Sequence, residues 1–505
     1  MSALHKDAAI AVIGAGAMGA GIAQVAAQAG HPVALFDTRE GAAAQAIAGI
    51  AKQLGKRVEA GKLDAAARDA VIARLTPAER LEDLAGSALV VEAIVENLAI
   101  KRELFAKLEA ICGDDCILAS NTSSLSITSL AATLKRPERV AGLHFFNPAP
   151  VMALVEIVAG LASDPAVLDC LYATAKAWGK KPVHTKSTPG FIVNRVARPF
   201  YAESLRLLQE GASDCASLDA LLRDAGGFRM GAFELTDLIG HDVNYAVTCS
   251  VFDAYYGDFR FQPSLIQKEL VDAGRFGRKS GRGFYDYAEG AERPAPQSLP
   301  AAAKPECVVV EGDLGAASAL VERLEAAGIE IVRRDGAGLL RVGEAVLAPS
   351  DGRMAAERTR IDGLRNLALF DLALDYAKAT RLAVAFAADC DSAAREAVAG
   401  LLQAAGITVT EVTDSPALVV LRTVAMLANE AADAVLQGVG TAADIDLAMC
   451  AGVNYPKGPL AWADAIGVGS VLSALDNLQR SYGEDRYRPS LLLRRLHCTG
   501  GRFHG

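Results

Sequence analysis

Residues 8–37, AAIAVIGAGAMGAGIAQVAAQAGHPVALFD, constrain the fold of this chain more than any other stretch. An apolar run ending at Ile13 leads into Gly14, Gly16 and Gly19, then into an alanine-rich helical run, then into a second apolar run that closes on Asp37. Strand, glycine turn, helix and strand in that order make the opening unit of a doubly wound parallel sheet, and the spacing is the G-x-G-x-x-G of dinucleotide sites. Gly14 permits the tight turn, Gly16 lets the backbone approach a pyrophosphate, and Gly19 lets the helix pack closely on the strand. The free N–H groups at the helix start attract negative charge. Asp37, eighteen residues beyond Gly19, is placed to accept from ribose hydroxyls and to repel a 2′-phosphate, which favours NAD over NADP. The plainer role for Asp37 is to cap the segment that follows.

The alternation of strands and helices continues to about residue 187, with SALVVEAIVE and CILASNTSS as further buried strands ending in polar turns. Ligands of such sheets sit outside the carboxyl ends of the strands, so Glu96, Asn121, Ser123 and His144 are expected to converge there. His144 opens LHFFNPAPVMALVEIV, whose one acid, Glu156, follows twelve residues later across a Phe-Asn-Pro turn. Alone, the pair says little, because a histidine beside an apolar run is more often a hydrogen-bonded core residue than a catalyst.

Composition narrows the class. A chain of 505 residues with 51% hydrophobic and 22% charged side chains holds several ordinary globular cores. No apolar run approaches the roughly 20 residues that cross a bilayer, and no signal peptide is apparent, so a soluble, cytoplasmic protein is expected. The nine cysteines are scattered, and the Cys112–Cys116 spacing fits neither a metal nor a redox site. A net charge of −9 without a basic face argues against nucleic acid.

The segments GAGAMGAGIAQVAAQAGH, VEAIVENLAIKRELF, ASNTSSLSIT, GLHFFNPAPVMALVEIV, TPGFIVNR and GRKSGRGFYDY, in that order over residues 8–287, resemble the NAD-dependent L-3-hydroxyacyl-CoA dehydrogenases. The resemblance implies oxidation of the 3-hydroxyl of an acyl-CoA to a ketone with NAD as hydride acceptor. It implies His144 as the general base, Glu156 as the carboxylate that orients it, and Ser123 and Asn194 as the groups that hold the substrate oxygen. It further implies Glu96, Lys101, Asn121, Ser123, Asn147 and Lys279 as cofactor contacts, and the two lysines suit a phosphate-rich ligand. The family holds CoA partly on the helical hairpin after Asp37, where this chain offers only Lys52, Lys56 and Arg57; Ser123, in the separate motif SNTSSL, is the further substrate or CoA contact that the resemblance implies.

A repeat explains the length. With an offset of 227 residues, Pro189 matches Pro416, Arg195 matches Arg422, Glu203 matches Glu430, Gly211 matches Gly438, Asp219 matches Asp446, Gly231 matches Gly458 and Asp237 matches Asp464. Leu421 stands at the position of Asn194, so the second copy reads as a scaffold. Between the copies, ECVVVEGDLGAASALVERLEAAGIEIVRRD keeps the strand-turn-helix-strand pattern, but Leu314 and Ala317 replace the second and third glycines and Asp313 adds a negative charge to the turn. The expected architecture is α/β plus all-α: a Rossmann domain at 1–187, a helical domain at 188–290, a degenerate Rossmann-like domain without dinucleotide at 300–412, and a second helical copy at 413–505. In this layout the chain is similar to the long bacterial enzymes of the family, including the 3-hydroxyadipyl-CoA dehydrogenases of phenylacetate breakdown. A 3-hydroxybutyryl-CoA or general short-chain enzyme is the alternative, and a non-catalytic nucleotide- or CoA-binding protein the more distant one. The helical copies allow a homo-oligomer, or a second copy that occupies the partner surface within one chain.

Overall fold

The computed structural model describes residues 2–505, which form two compact units. The first comprises the chain up to Arg195 together with Gln437–Val453; the second comprises Val196–Leu436 and Asn454–Gly505. The four sequence segments are thus divisions of the chain, and in space the first helical segment, the second sheet and most of the second helical copy belong to one unit.

In the first unit the strands are β1 (Ile10–Ile13), β2 (Val33–Phe36), β3 (Leu75–Pro77), β4 (Leu89–Glu92), β5 (Ile117–Ser120), β6 (Val140–Phe145), β7 (Leu154–Ala159) and β8 (Lys181–Lys186). They form one sheet in the order β3-β2-β1-β4-β5-β6-β7-β8, parallel except for the antiparallel pair β6–β7. Strand β1 is apolar throughout because both faces of the sheet are covered. Ile10 and Val12 enter one core cluster, and Ala11 and Ile13 enter the other. The helix Ala442–Val453 of the second helical copy packs against β7 and β8. A Cβ on Gly452 would come within 2.5 Å of Leu154, so this close approach requires glycine.

The second unit holds β9 (Cys307–Glu311), β10 (Glu330–Arg334), β11 (Leu339–Val342), β12 (Ala345–Pro349), β13 (Leu367–Phe370), β14 (Arg381–Phe386) and β15 (Thr408–Glu411). The order β10-β9-β11-β12-β13-β14-β15 repeats the first sheet with two changes: no strand matches β3, and β11 runs antiparallel to both of its neighbours. The helical hairpin Ala42–Glu59 and Ala65–Ile72, which precedes β3 in the first unit, has no counterpart between β10 and β11. The second copy of the helical repeat centres on Val420–Leu436, in which every residue from Val420 to Ala434 is buried. A helix buried all round must pair its polar residues internally. Asp237 accepts from the amides of Phe284 and Tyr285, and its repeat partner Asp464 accepts from those of Phe503 and His504. The repeat therefore extends to the end of the chain.

Candidate active site

The glycine turn closes as its spacing requires. Gly14 has φ +100°, and a Cβ there would meet the Ala93 carbonyl oxygen at 2.5 Å; a Cβ on Gly19 would lie 1.7 Å from the Gly14 carbonyl oxygen. Around Gly16 nothing lies within 4 Å of the added Cβ, and no side chain caps the helix Ala17–Ala29. Its first N–H groups are left for a ligand, and a pyrophosphate fits that cradle. Asp37 directly follows β2, beside a cavity of about 570 Å³ lined also by Phe36, Arg39 and Pro77. Its carboxylate accepts from the Ala15 amide at 2.8 Å and from the Arg39 amide and Nε at 3.0 and 3.1 Å. Burial pushes the Asp37 carboxyl up, but the Arg39 side chain and the two amides outweigh it and hold it below the usual carboxylate range. Arg39 had no assigned role in the sequence; its nearness to Asp37 is the signal that could have found it.

A second cluster lies at the ends of β4 and β5. Glu92, fully buried, accepts from Lys101 Nζ at 2.7 Å, from the Ser120 hydroxyl at 2.7 Å and from the Ile94 amide at 2.7 Å. Glu96 accepts from the Thr122 hydroxyl and from the amides of Ser123 and Ser124, and lies 3.1 Å from Lys101 Nζ. Burial raises the Glu96 carboxyl, yet Thr122 and Lys101 bring it below its ordinary range. Lys101 is 1% exposed and its charge is met by two carboxylates, which corrects the expectation of an open cation for ligand phosphates. It fixes Glu92 and Glu96, and through Glu96 the Ser123 loop. The helix Leu98–Ile111 is started by Asn97, whose side chain accepts from the amides of Ala99 and Ile100 and so sets the register that turns Lys101 inward. Glu92 escaped sequence reasoning, although an acid closing a buried apolar strand was a visible signal. Asn121 accepts from the Phe145 amide at 2.8 Å and ties the end of β5 to β6.

His144 and Glu156 face each other directly across the antiparallel pair β6–β7. His144 Nδ1 lies 2.6 Å from Glu156 Oε2, with both residues buried. Because a carboxylate only accepts, Nδ1 carries the proton and Nε2 presents a lone pair. Among the described residues nothing bonds Nε2, and the rings of Phe146 and Phe191 flank the imidazole at 4.6 and 5.8 Å. The other oxygen, Glu156 Oε1, accepts from the amides of Ile192 and Val193 at 3.1 and 3.0 Å. One carboxylate thus orients the histidine and anchors the short helix Val193–Val196 that carries Asn194. Asn194 is the single residue from Phe191 to Phe200 that is not fully buried. Asn147, in the turn between β6 and β7, is exposed, and its bond to Pro148 is cis. Lys52, Lys56 and Arg57 are exposed on the helix Ala42–Glu59. Lys279 lies in the second unit, where its ammonium pairs with Asp242 at 2.7 Å.

The second sheet shows what this constellation becomes when it is lost. The 227-residue offset carries His144 to Asp371 and Glu156 to Ala383, and the amide of Asp371 bonds the Ala383 carbonyl across β13–β14. Asp371, fully buried, accepts from the amides of Val419, Val420 and Leu421 at 2.6–3.0 Å. A single carboxylate on the histidine's strand therefore performs the anchoring task of Glu156, with no imidazole and no asparagine beside it. At the degenerate glycine turn, Asp313 accepts from the Gly315 amide and the Ser318 hydroxyl. It takes for itself an amide that a phosphate would use.

The first unit is thus a dinucleotide-binding dehydrogenase fold with a buried histidine–carboxylate pair at the carboxyl edge of its sheet. The chain matches the family models for the 3-hydroxyacyl-CoA dehydrogenase NAD binding domain over residues 9–188, its C-terminal domain over 190–287 and 418–502, and the 3-hydroxybutyryl-CoA dehydrogenase reduced Rossmann-fold domain over 347–416. It belongs to the 3-hydroxyacyl-CoA dehydrogenase family of NAD-dependent oxidoreductases. It is 46% identical over 485 residues, 96% of each chain, to a protein of Escherichia coli K12 named 3-hydroxyadipyl-CoA dehydrogenase. A crystal structure described as 3-hydroxybutyryl-CoA dehydrogenase from Escherichia coli K12 superimposes with a TM-score of 0.90 at 44% identity, covering 98% of this chain and 99% of that one. A probable 3-hydroxybutyryl-CoA dehydrogenase of Bacillus subtilis is 42% identical over 281 residues, 55% of this chain and 97% of the relative. The shorter enzymes therefore correspond to little more than the first half.

Proposed function

We propose that this enzyme oxidises the dicarboxylic substrate 3-hydroxyadipyl-CoA to its 3-oxo product. The observation that carries this reading is the end-to-end likeness, 46% identity over 96% of both chains, to the Escherichia coli protein of that name. A straight-chain 3-hydroxybutyryl-CoA is the second reading, favoured by the name given to the Escherichia coli crystal structure of the same architecture.

In this reading His144 Nε2 takes the proton of the 3-hydroxyl, and Glu156 keeps Nδ1 protonated and stabilises the imidazolium that forms. Ser123 and Asn194 hold the substrate oxygen so that its proton faces the imidazole. Bound NAD supplies the hydride acceptor. Gly14, Gly16, Gly19 and Asp37 hold the pyrophosphate and ribose; Glu96, Asn121 and Asn147 position the nicotinamide half, and Lys101 acts through Glu96. Lys52 and Lys56, one helical turn apart and exposed, suit the CoA phosphates. Packing of Ala442–Val453 on β7 and β8 supports a second helical copy that serves in cis as the partner surface. The nine cysteines, all free thiols, suit the cytoplasm. Initial rates with 3-hydroxyadipyl-CoA, 3-hydroxybutyryl-CoA and longer neutral chains test the reading; a higher kcat/KM for 3-hydroxybutyryl-CoA would replace it with the second.

A further inference from the structure

One segment of the helical repeat occurs twice: RFQPSL at residues 260–265 recurs as RYRPSL at residues 486–491, both within the second unit. In each copy the serine precedes a helix, Leu265–Asp272 in the first and Leu491–Thr499 in the second. Ser490 caps its helix by accepting from the Leu492 amide at 3.3 Å, and its own amide donates to Asn429 at 2.7 Å. Ser264 does not cap its helix, and its buried hydroxyl has no hydrogen-bond partner among the described residues. The first copy therefore keeps an uncapped helix start, the end of a helix that attracts anions.

This open end lies at a cavity of about 160 Å³, lined also by Arg198, Arg206, Arg260 and Arg486 and, among the described residues, by no acidic side chain. Three of the arginines are neutralised within the unit: Arg206 by Glu203, Arg260 by Glu430 and Asp433, and Arg486 by Glu484. Arg198 is not. The residue is 6% exposed, its Nη1 donates to the Thr248 hydroxyl at 3.0 Å, and its Nε meets no acceptor. Arg260 Nε, on a residue 2% exposed, also lacks one. Burial works against the Arg198 charge, and only the phenol groups of Tyr201 and Tyr455 oppose that effect. A buried cation without an anion is costly to hold, and a ligand that brings the anion offsets the cost. At the repeat offset of 227 residues Arg198 becomes Ala425, so the copy that closes its cap also has no unpaired guanidinium.

We propose that this cavity binds a small phosphate-class oxyanion, held by Arg198, Arg260, Ser264 and the start of the helix Leu265–Asp272. The open donors come from three separate elements: the helix Arg198–Gln209, the turn Phe259–Phe261 and the helix start. A tetrahedral anion offers oxygens to donors on several sides, whereas a planar carboxylate is matched by one guanidinium fork. Arg198 already engages Nη1 with Thr248 and so does not present a full fork. The unmatched charge is that of one guanidinium plus roughly half a positive charge from the helix end, which suits a singly or doubly charged ion. His144, Glu156, Ser123 and Asn194 do not line this cavity, so the site is a second one and does not rest on the substrate reading above.

Inorganic phosphate is the probe, titrated into the full-length enzyme by calorimetry at constant ionic strength. NAD is kept saturating, so that the glycine turn is occupied and does not take up the ion. One saturable phosphate per chain is expected, with a melting temperature that climbs with phosphate beyond any rise given by sodium chloride. Arg198→Met should raise the dissociation constant by on the order of 10- to 10²-fold. Ser264→Ala, which removes a hydroxyl that bonds nothing in the folded chain, should raise it by about 2- to 10-fold; it carries the test should the methionine variant not fold. Without phosphate, Arg198→Met should melt no lower than the wild type, because an uncompensated buried charge has been removed. Absence of saturable binding to the wild type overturns the site and leaves the cavity to water. Binding unchanged in both variants places the ion elsewhere and overturns it as well. Tighter binding of succinate than of phosphate overturns the phosphate assignment. A lowered melting temperature in Arg198→Met with wild-type phosphate affinity makes Arg198 a structural residue and overturns its role as a ligand.

Discussion

Glu203 and Arg422, one from each helical copy, form an ion pair at 2.8 Å with both side chains fully buried. They are 219 residues apart in the chain, and the repeat maps Arg422 onto Arg195 and Glu203 onto Glu430. The Arg422 guanidinium also bonds Glu210 at 2.9 Å and the hydroxyls of Tyr482 and Tyr487 at 2.8 and 2.7 Å. Every donor of the buried cation is aimed at an acceptor, the condition under which such a pair is tolerated in a core. Removing one partner strands the other. Arg422→Met should lower the unfolding free energy of the second unit by about 3–5 kcal/mol in urea titrations, and Arg422→Met with Glu203→Leu should recover much of the loss. A double variant no more stable than the single one would refute a paired origin of the effect.

At the site of chemistry, His144→Ala should lower kcat by about 10²-fold or more while NADH affinity, read by fluorescence titration, stays near wild type. Full turnover in this variant would remove the histidine from the reaction.

Glu156 has two tasks, so its variants should differ from those of His144. Glu156→Gln offers one acceptor oxygen in place of two, and cannot serve both the imidazole and the amides of Ile192 and Val193. It should lose turnover and also lose about 1–3 kcal/mol of stability, the cost of unsatisfied buried groups. Loss of kcat with unchanged urea unfolding would show that the amide anchoring contributes little.

Cofactor choice turns on Asp37 and on the arginine it restrains. Asp37→Ala should lower kcat/KM with NAD by roughly 10- to 10²-fold and raise the NADP-to-NAD ratio, because Arg39 is then free to meet a 2′-phosphate. Adding Arg39→Ala should abolish that gain. An unchanged ratio in the single variant would show that Arg39 does not reach the ribose.

Asp313 and Asp371 stand where the second sheet would need an open turn and an imidazole, so calorimetry should find one NAD per chain. Two sites of similar affinity would contradict the vestigial reading of the second sheet.

The glycine turn and Asp37 after the second strand could be read from the chain because they rest on short-range pattern, strand periodicity and a fixed glycine spacing; the histidine and the glutamate, twelve residues apart, say little alone and are singled out by the family resemblance. Other features could not. Lys101 looks like a surface lysine in KRELF, and only the fold shows that Glu92 and Glu96 enclose it. Asp371 becomes meaningful only when β13 and β14 are laid in register and the amides of Val419 to Leu421 are found against it.

The sequence by itself determined the order of the elements, the dinucleotide turn and the duplication, because these follow from spacing and from the burial of apolar residues along each segment. The tertiary structure decided which charges are buried and what neutralises them, because a buried charge is matched by groups from distant parts of the chain, and those distances exist only once the sheets and helices have packed.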